Sequence, residues 1–323
     1  MGNFDHVIEE AYQKCYAPFV RALHAHPRIR LSLHFSGILL EWLEHRHPEY
    51  FQQLRELAAR GQIELVGGGY YEPILPAIPD VDKVAQLRKL ADYLRQHFGS
   101  APRGAWVAER VWEPTLPRPL AQAGVEYVVL DDTHFLAAGL QPWQLRGSFV
   151  TEEDGFPLRL VPSEKALRYS IPFQEPVETL RILREGINQP DSLFAMGDDC
   201  EKFGVWPGTY EHVFKNGWME RFLLALEGSQ DWLETTTVAD YLRSHPAVGR
   251  WCLALPRDQV ETPPGSSGEE ARCEGGARRA RRIHRASKGH CTGRQEDAHA
   301  LPQATPLFRF RFPRDYSASV SDD

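Results

Sequence analysis

No stretch of this 323-residue chain approaches the roughly 18 consecutive apolar residues of a membrane-spanning helix. Its start, Met1-Gly2-Asn3-Phe4-Asp5-His6, lacks the basic-then-apolar order of an export signal. No membrane partner and a cytoplasmic location are therefore expected. Cysteine is sparse: residues 15, 200, 252, 273 and 291, odd in number and without a Cys-x-x-Cys pair, argue against a disulfide framework or a zinc ribbon. Positive charge is short as well. With 37 Lys and Arg against 44 Asp and Glu the net charge is -7, and no nucleic-acid partner is expected, since phosphate contacts need a basic surface. Gly67-Gly68-Gly69 lacks the spacing of a dinucleotide or P-loop fingerprint, and His134 has no His-x-x-x-His partner nearby. Neither a cofactor nor a metal is expected.

What is present is a chain that is 42% hydrophobic, enough to bury the core of one large domain with or without an appendage. Helical periods over residues 7–25, 38–60, 81–98, 116–123, 177–186, 211–227 and 237–244 alternate with short apolar runs at 30–35, 62–66, 104–108, 127–130 and 192–196. A hairpin-like region lies at 143–162. The alternation predicts an α/β fold with parallel strands, a barrel in preference to an open wound sheet. Composition shifts after Pro256 to Gly, Ser, Arg, Glu and Ala without an apolar period. Such a segment cannot offset its ordering entropy by burial. We therefore divide the chain into a catalytic β/α domain over 1–250 and a low-complexity, disordered tail over 251–323. Within that tail, Leu307-Phe308-Arg309-Phe310-Arg311-Phe312 alternates and suits either an added strand or an adhesive end.

Two clusters carry the chemistry. Trp106-Val107-Ala108-Glu109-Arg110-Val111-Trp112-Glu113-Pro114 and Asp198-Asp199-Cys200-Glu201-Lys202-Phe203-Gly204-Val205-Trp206-Pro207 each set carboxylates among tryptophans directly after a buried run. Carboxylates supply acid, base and nucleophile, and indole faces stack on sugar rings. Strand ends of a barrel bring such distant segments together. The pattern points to a two-carboxylate glycosidase or glycosyl-transferring enzyme. The plainer reading of Glu109 is a structural ion pair with Arg110. For Asp198, Asp199 and Glu201 it is a Mg²⁺ or Ca²⁺ site or a helix N-cap. Tyr70-Tyr71-Glu72-Pro73, after the triple glycine, offers aromatics and a carboxylate to a ligand. Asp131-Asp132-Thr133-His134 suits a metal pair or a hydrogen-bonding shelf, and Cys200 reads as a small packing residue.

At these residues the chain resembles glycoside hydrolase family 57, in its 4-α-glucanotransferase and α-amylase branch. Residues 106–114 and 198–207 match two of the family's motifs. Gly61 to Gly68 through Tyr71-Glu72-Pro73 is similar to a third, and Leu33-His34-Phe35-Ser36-Gly37 and Leu167-Arg168-Tyr169-Ser170-Ile171-Pro172-Phe173 also fit. The resemblance covers about residues 3–250. It implies an incomplete (β/α)₇ barrel acting without a metal on α-1,4-glucans or maltooligosaccharides, with retention of configuration. Carried over by position, Glu109 is the nucleophile and Asp199 the acid/base, with carboxyl groups about 5–5.5 Å apart. Trp106, Trp206, Glu72, Glu201, His34 and Asp131 are then expected to bind the sugars.

The sequence departs from the pattern in three places. Cys200 stands where the family has glycine. The family's first strand, ending His-Gln-Pro before Gly-Asn-Phe-Asp, is absent ahead of Gly2-Asn3-Phe4-Asp5. Nothing past about Gly249 matches, and the Arg/Gly-rich tail has the look of a shifted reading frame. A truncated, frameshifted product lacking the first barrel strand is the resulting expectation. It carries an alternative function, a catalytically inactive or glucan-binding relic. A metal-dependent deacetylase using Asp131, Asp132 and His134 is a further alternative.

Overall fold

The computed structural model describes residues 5–189, 191–251, 303–305 and 307–310. Helix α1 (Asp5–Ala11) runs through a π-helical turn, Tyr12–Tyr16, into α2 (Ala17–Ala25). Strand β1 (Leu31–His34), α3 (Gly37–Arg46), α4 (Pro48–Ala59), β2 (Ile63–Gly68), α5 (Asp80–Phe98) and β3 (Gly104–Trp106) follow. Next come α6 (Pro117–Gln122), β4 (Tyr127–Asp131), α7 (Asp132–Ala137) and the hairpin of β5 (Phe149–Glu153) and β6 (Phe156–Ser163). Then come α8 (Lys165–Ser170), α9 (Pro176–Glu185), β7 (Leu193–Ala195), β8 (Asp198–Asp199), α10 (Trp218–Glu227), β9 (Leu233–Thr236), α11 (Val238–Ser244) and β10 (Gly249–Arg250). Strands β11 (Gln303–Thr305) and β12 (Leu307–Phe310) close the described chain.

The sheet runs in the order β8-β11-β1-β2-β3-β4-β6-β7-β12-β9. From β1 to β7 along this path every pairing is parallel, with Ser32 beside Glu64 and Asp131 beside Ser163. Strand β5 is antiparallel to β6, β11 to β1 and β8, and β12 to β7 and β9. The architecture is mixed α/β with a parallel-dominated sheet, as the alternation implies. Residues 252–302 of the expected tail, like those past 310, lie outside the described residues. Among the described residues no helix is long and apolar enough to cross a membrane.

Local chemistry explains most boundaries. Helix α5 opens after Pro79 with Asp80 and Asp82 in its first turn and stops at Gly99, φ 81°. The single helix expected over 38–60 is in fact two. Pro48 lacks the N–H that would continue α3, and its ring disfavours helical backbone at His47. Likewise the helix expected over 211–227 breaks at Asn216-Gly217, where φ is 71°, leaving a π-helical turn before α10. Leu40, Leu43, Leu54 and Leu57 bury completely between α3, α4 and the sheet. Each such side chain contributes about 1.5–3 kcal/mol of transfer free energy. Because β1, β2, β3, β4, β6 and β7 run parallel, His34, Gly68, Trp106, Asp131, Ser163 and Ala195 all end on one edge. The loops that follow can therefore share a site there.

Candidate active site

Glu109 leaves β3 in a tight 3₁₀ turn, Ala108–Arg110, closed by Arg110 N donating to Val107 O at 2.8 Å. Glu109 and Arg110 both have φ of 54°, in the left-handed region where a side chain costs roughly 1–2 kcal/mol per residue. Buried Trp106 and Trp112 flank the turn, so packing over-determines it. Glu72, on the loop after β2, is strained in the same sense at φ 52°. Arg110 pairs with Asp131, not with Glu109 as the plainer reading has it. Its Nε donates to Asp131 Oδ2 at 3.1 Å, with the guanidinium 5.7 Å over the Trp106 ring. Glu109 itself is exposed.

The second cluster opens with buried Asp198. Its Oδ1 accepts the backbone N–H of Asp199 at 3.0 Å, and its Oδ2 takes Lys202 Nζ at 2.7 Å. Cys200 and Cys15 are both buried, with sulfurs 3.6 Å apart, and the Cys15 thiol donates to Cys200 O. Glu201 is buried and accepts the Tyr16 hydroxyl at 2.8 Å. Burial pushes its carboxyl well above the usual range, with the charges of Asp199 and Glu72 adding to the effect. Gly204 has no alternative here, because a Cβ would overlap the Lys14 carbonyl oxygen.

The loops converge at Glu72. Burial, then the neighbouring charges of Asp199 and Glu109, push its carboxyl up to about 8. His34 Nδ1 donates to Val66 O at 3.1 Å, which leaves Nε2 as an acceptor 3.7 Å from Glu72 Oε1. Burial pulls His34 down to about 4. At neutral pH both groups are therefore uncharged. His34 Nε2 and Glu72 Oε2 are buried without hydrogen-bond partners, an arrangement that costs free energy until something binds. A Cβ on Gly68 would strike the His34 ring, which explains the glycine.

Comparison with known proteins decides the family. The sequence profile of Glycosyl hydrolase family 57 matches residues 3–256. The chain belongs to glycosyl hydrolase family 57. It is 50% identical over 224 residues to Alpha-amylase 1 of Dictyoglomus thermophilum, covering 69% of this chain and 33% of that protein. It is 43% identical over 243 residues to the 4-alpha-glucanotransferase of Thermococcus litoralis, covering 75% and 37%. The crystal structure of 4-alpha-glucanotransferase from T. litoralis superposes with a TM-score of 0.74 at 41% identity, over 77% of this chain and 39% of that one. The chain thus spans about a third of the length of these curated relatives.

Within this family 57 chain the expected sugar-binding residues occupy different kinds of place. Trp206 is exposed and stacks on Phe173, with ring centroids 5.8 Å apart at 22°. Trp106 is 2% exposed, its ring beside Gly197, so it offers no open face. The His34, Glu72 and Glu201 side chains are buried: His34 lies against Glu72, which feels the charges of Asp199 and Glu109, and Glu201 feels those of Asp199 and Glu72. Asp131 has both oxygens occupied: Arg110 Nε on Oδ2, and Arg168 Nη1 on Oδ1 at 2.6 Å. The suggested metal group is engaged one residue at a time. Asp132 accepts Lys165 N, and His134 Nε2 donates to Arg110 O. Among the described residues no three His, Cys, Asp or Glu side chains group to hold a metal. Tyr16, Lys202 and the role of Arg168 escaped the sequence reading, for Tyr16 meets Glu201 across 185 residues with no local signal.

Proposed function

We propose that this chain performs retaining glycosyl transfer or hydrolysis on α-1,4-glucans. The supporting observation is the field at Glu72, where the charges of Glu109 and Asp199 meet although the two residues leave different strands. In this reading Glu109 attacks the anomeric carbon while Asp199 protonates the departing glycosidic oxygen, leaving a glycosyl-enzyme. Asp199 then takes a proton from water or a sugar hydroxyl, which attacks and releases Glu109. The names of the relatives, alpha-amylase and 4-alpha-glucanotransferase, support both outcomes of that second step. Parallel strands β1, β2, β3, β4, β6 and β7 with the carboxylates at one edge support an incomplete (β/α)₇ barrel over residues 1–250, to whose sheet β11 and β12 of the following segment add.

Incubation of the full chain with maltotriose tests the reading. Longer oligomers in the products identify transfer, and exclusively shorter ones identify hydrolysis. Glu109→Gln and Asp199→Asn are each expected to lower turnover by at least about 10³-fold, since both act at the reacting bond. Normal turnover by either variant rejects the assignment.

A further inference from the structure

Arg168, on α8, faces two acids from different strands. Its Nη1 donates to Asp131 Oδ1 at 2.6 Å, and its Nε lies 3.4 Å from Asp198 Oδ2. Asp131 holds Arg110, which closes the strained turn of Glu109. Asp198 holds the backbone N–H of Asp199 and the ammonium of buried Lys202, which also donates to Arg168 O at 2.6 Å. Charges therefore alternate along Arg110, Asp131, Arg168 and Asp198, from the residue after Glu109 to the residue before Asp199, with Lys202 pairing Asp198 beyond. The backbone of α8 is fixed from the same strand end, because Asp132 Oδ2 accepts Lys165 N at 2.9 Å.

We propose that Asp131 and Arg168 are positioning residues: one guanidinium, hydrogen-bonded to Asp131 and ion-paired with Asp198, keeps the turn bearing Glu109 in register with the strand bearing Asp199. This replaces the sugar-binding role expected of Asp131, whose oxygens are already committed. It rests on the assignment of Glu109 and Asp199 made above. An arginine is required because only a planar fork spans two carboxylates from different strands; an ammonium is a single point of charge. Burial works against the charge of Arg168, and the Asp198 and Asp131 carboxylates more than offset it, so the clamp stays ionised.

The test is steady-state kinetics on maltooligosaccharide with Asp131→Asn, Arg168→Lys and the double variant, alongside Glu109→Gln and Asp199→Asn. Each single clamp variant should lose roughly 10- to 100-fold in kcat with KM within about twofold, the loss expected when reacting groups shift by about an ångström. The double variant should be no slower than the slower single one, since both changes open the same clamp. The proposal is overturned by wild-type kcat in both single variants, by a rise in KM with kcat intact, or by losses that multiply. Circular-dichroism melts accompany the kinetics. If Asp131→Asn does not fold, Arg168→Lys and Arg110→Lys carry the same test from either side of that carboxylate. Inactive Glu109→Gln and Asp199→Asn beside unaffected clamp variants sink only this inference, whereas active Glu109→Gln or Asp199→Asn sinks the functional reading itself.

Discussion

Replacing Glu72 by glutamine should make the stability of the protein less sensitive to pH, with a size that follows from the structure. In the folded chain the Glu72 carboxyl is raised from its usual 4.5 to about 8, by burial first and then by Asp199 and Glu109. Between those values the folded state holds a proton that the unfolded state has released. Stability must then fall as pH rises through this window. Below about 4.5 both states are protonated and the penalty vanishes; above about 8 it reaches its limit. At roughly 1.4 kcal/mol per pH unit, the penalty is about 3 kcal/mol at pH 7 and under about 1 kcal/mol at pH 5. Glutamine, uncharged throughout, carries no such penalty. Urea unfolding followed by tryptophan fluorescence at pH 5, 6, 7 and 8 should therefore show the variant gaining about 2–3 kcal/mol on wild type between pH 5 and pH 7. A constant difference across that range would refute the reasoning. The same proton has a kinetic consequence. Ionised Glu72 adds a negative charge beside Glu109 and Asp199, so wild-type kcat/KM should decline near pH 8, and that limb should disappear in the variant.

Other outcomes follow from single contacts. Trp206→Ala removes the exposed ring stacked on Phe173 and should raise KM for maltooligosaccharides roughly tenfold, equivalent to about 1.4 kcal/mol, with a smaller effect on kcat. Initial-rate measurements over a range of oligomer concentrations check this. Gly204→Ala forces a Cβ onto the Lys14 carbonyl and should destabilise the fold by the upper part of the roughly 1–3 kcal/mol typical of overpacking, as read by a chemical melt.

Much of this fold is legible because each feature is local. Gly61 and Gly99 mark helix ends, short apolar runs mark parallel strands, and Glu109 and Asp199 stand directly after such runs. The break of the 38–60 helix was also written locally, in Pro48, but the longer hydrophobic period hid it. What escaped depends on pairs far apart in the chain. The pairing of Asp131 with Arg110 and Arg168, 21 and 37 residues away, has no local signal. The burial of Trp106 has no local signal either, because an indole next to a carboxylate gives no hint of which face is covered. No period or propensity foretells left-handed backbone at Glu72, Glu109 and Arg110, since it is imposed by the surrounding packing.

Those long-range pairs also bear on how acids crowded at one strand edge divide the work. Like charges that close cannot all remain ionised in a dry site unless something compensates them. Two devices operate here. Asp131 and Asp198 are ion-paired with Arg110, Arg168 and Lys202. Glu72 and Glu201 are driven toward the neutral acid by burial, the latter against the Tyr16 hydroxyl. Glu109 is exposed and Asp199 half-buried. A nucleophile must approach a ring carbon, and an acid must reach a glycosidic oxygen, so both need access that ion-paired or sealed carboxyls lack. The paired and buried acids are costly: each is stable only while its partner or its burial persists. Arg168→Lys should accordingly slow turnover of maltooligosaccharide more than Arg181→Lys, since the Arg181 partners Glu178 and Glu185 lie on the same helix and in water.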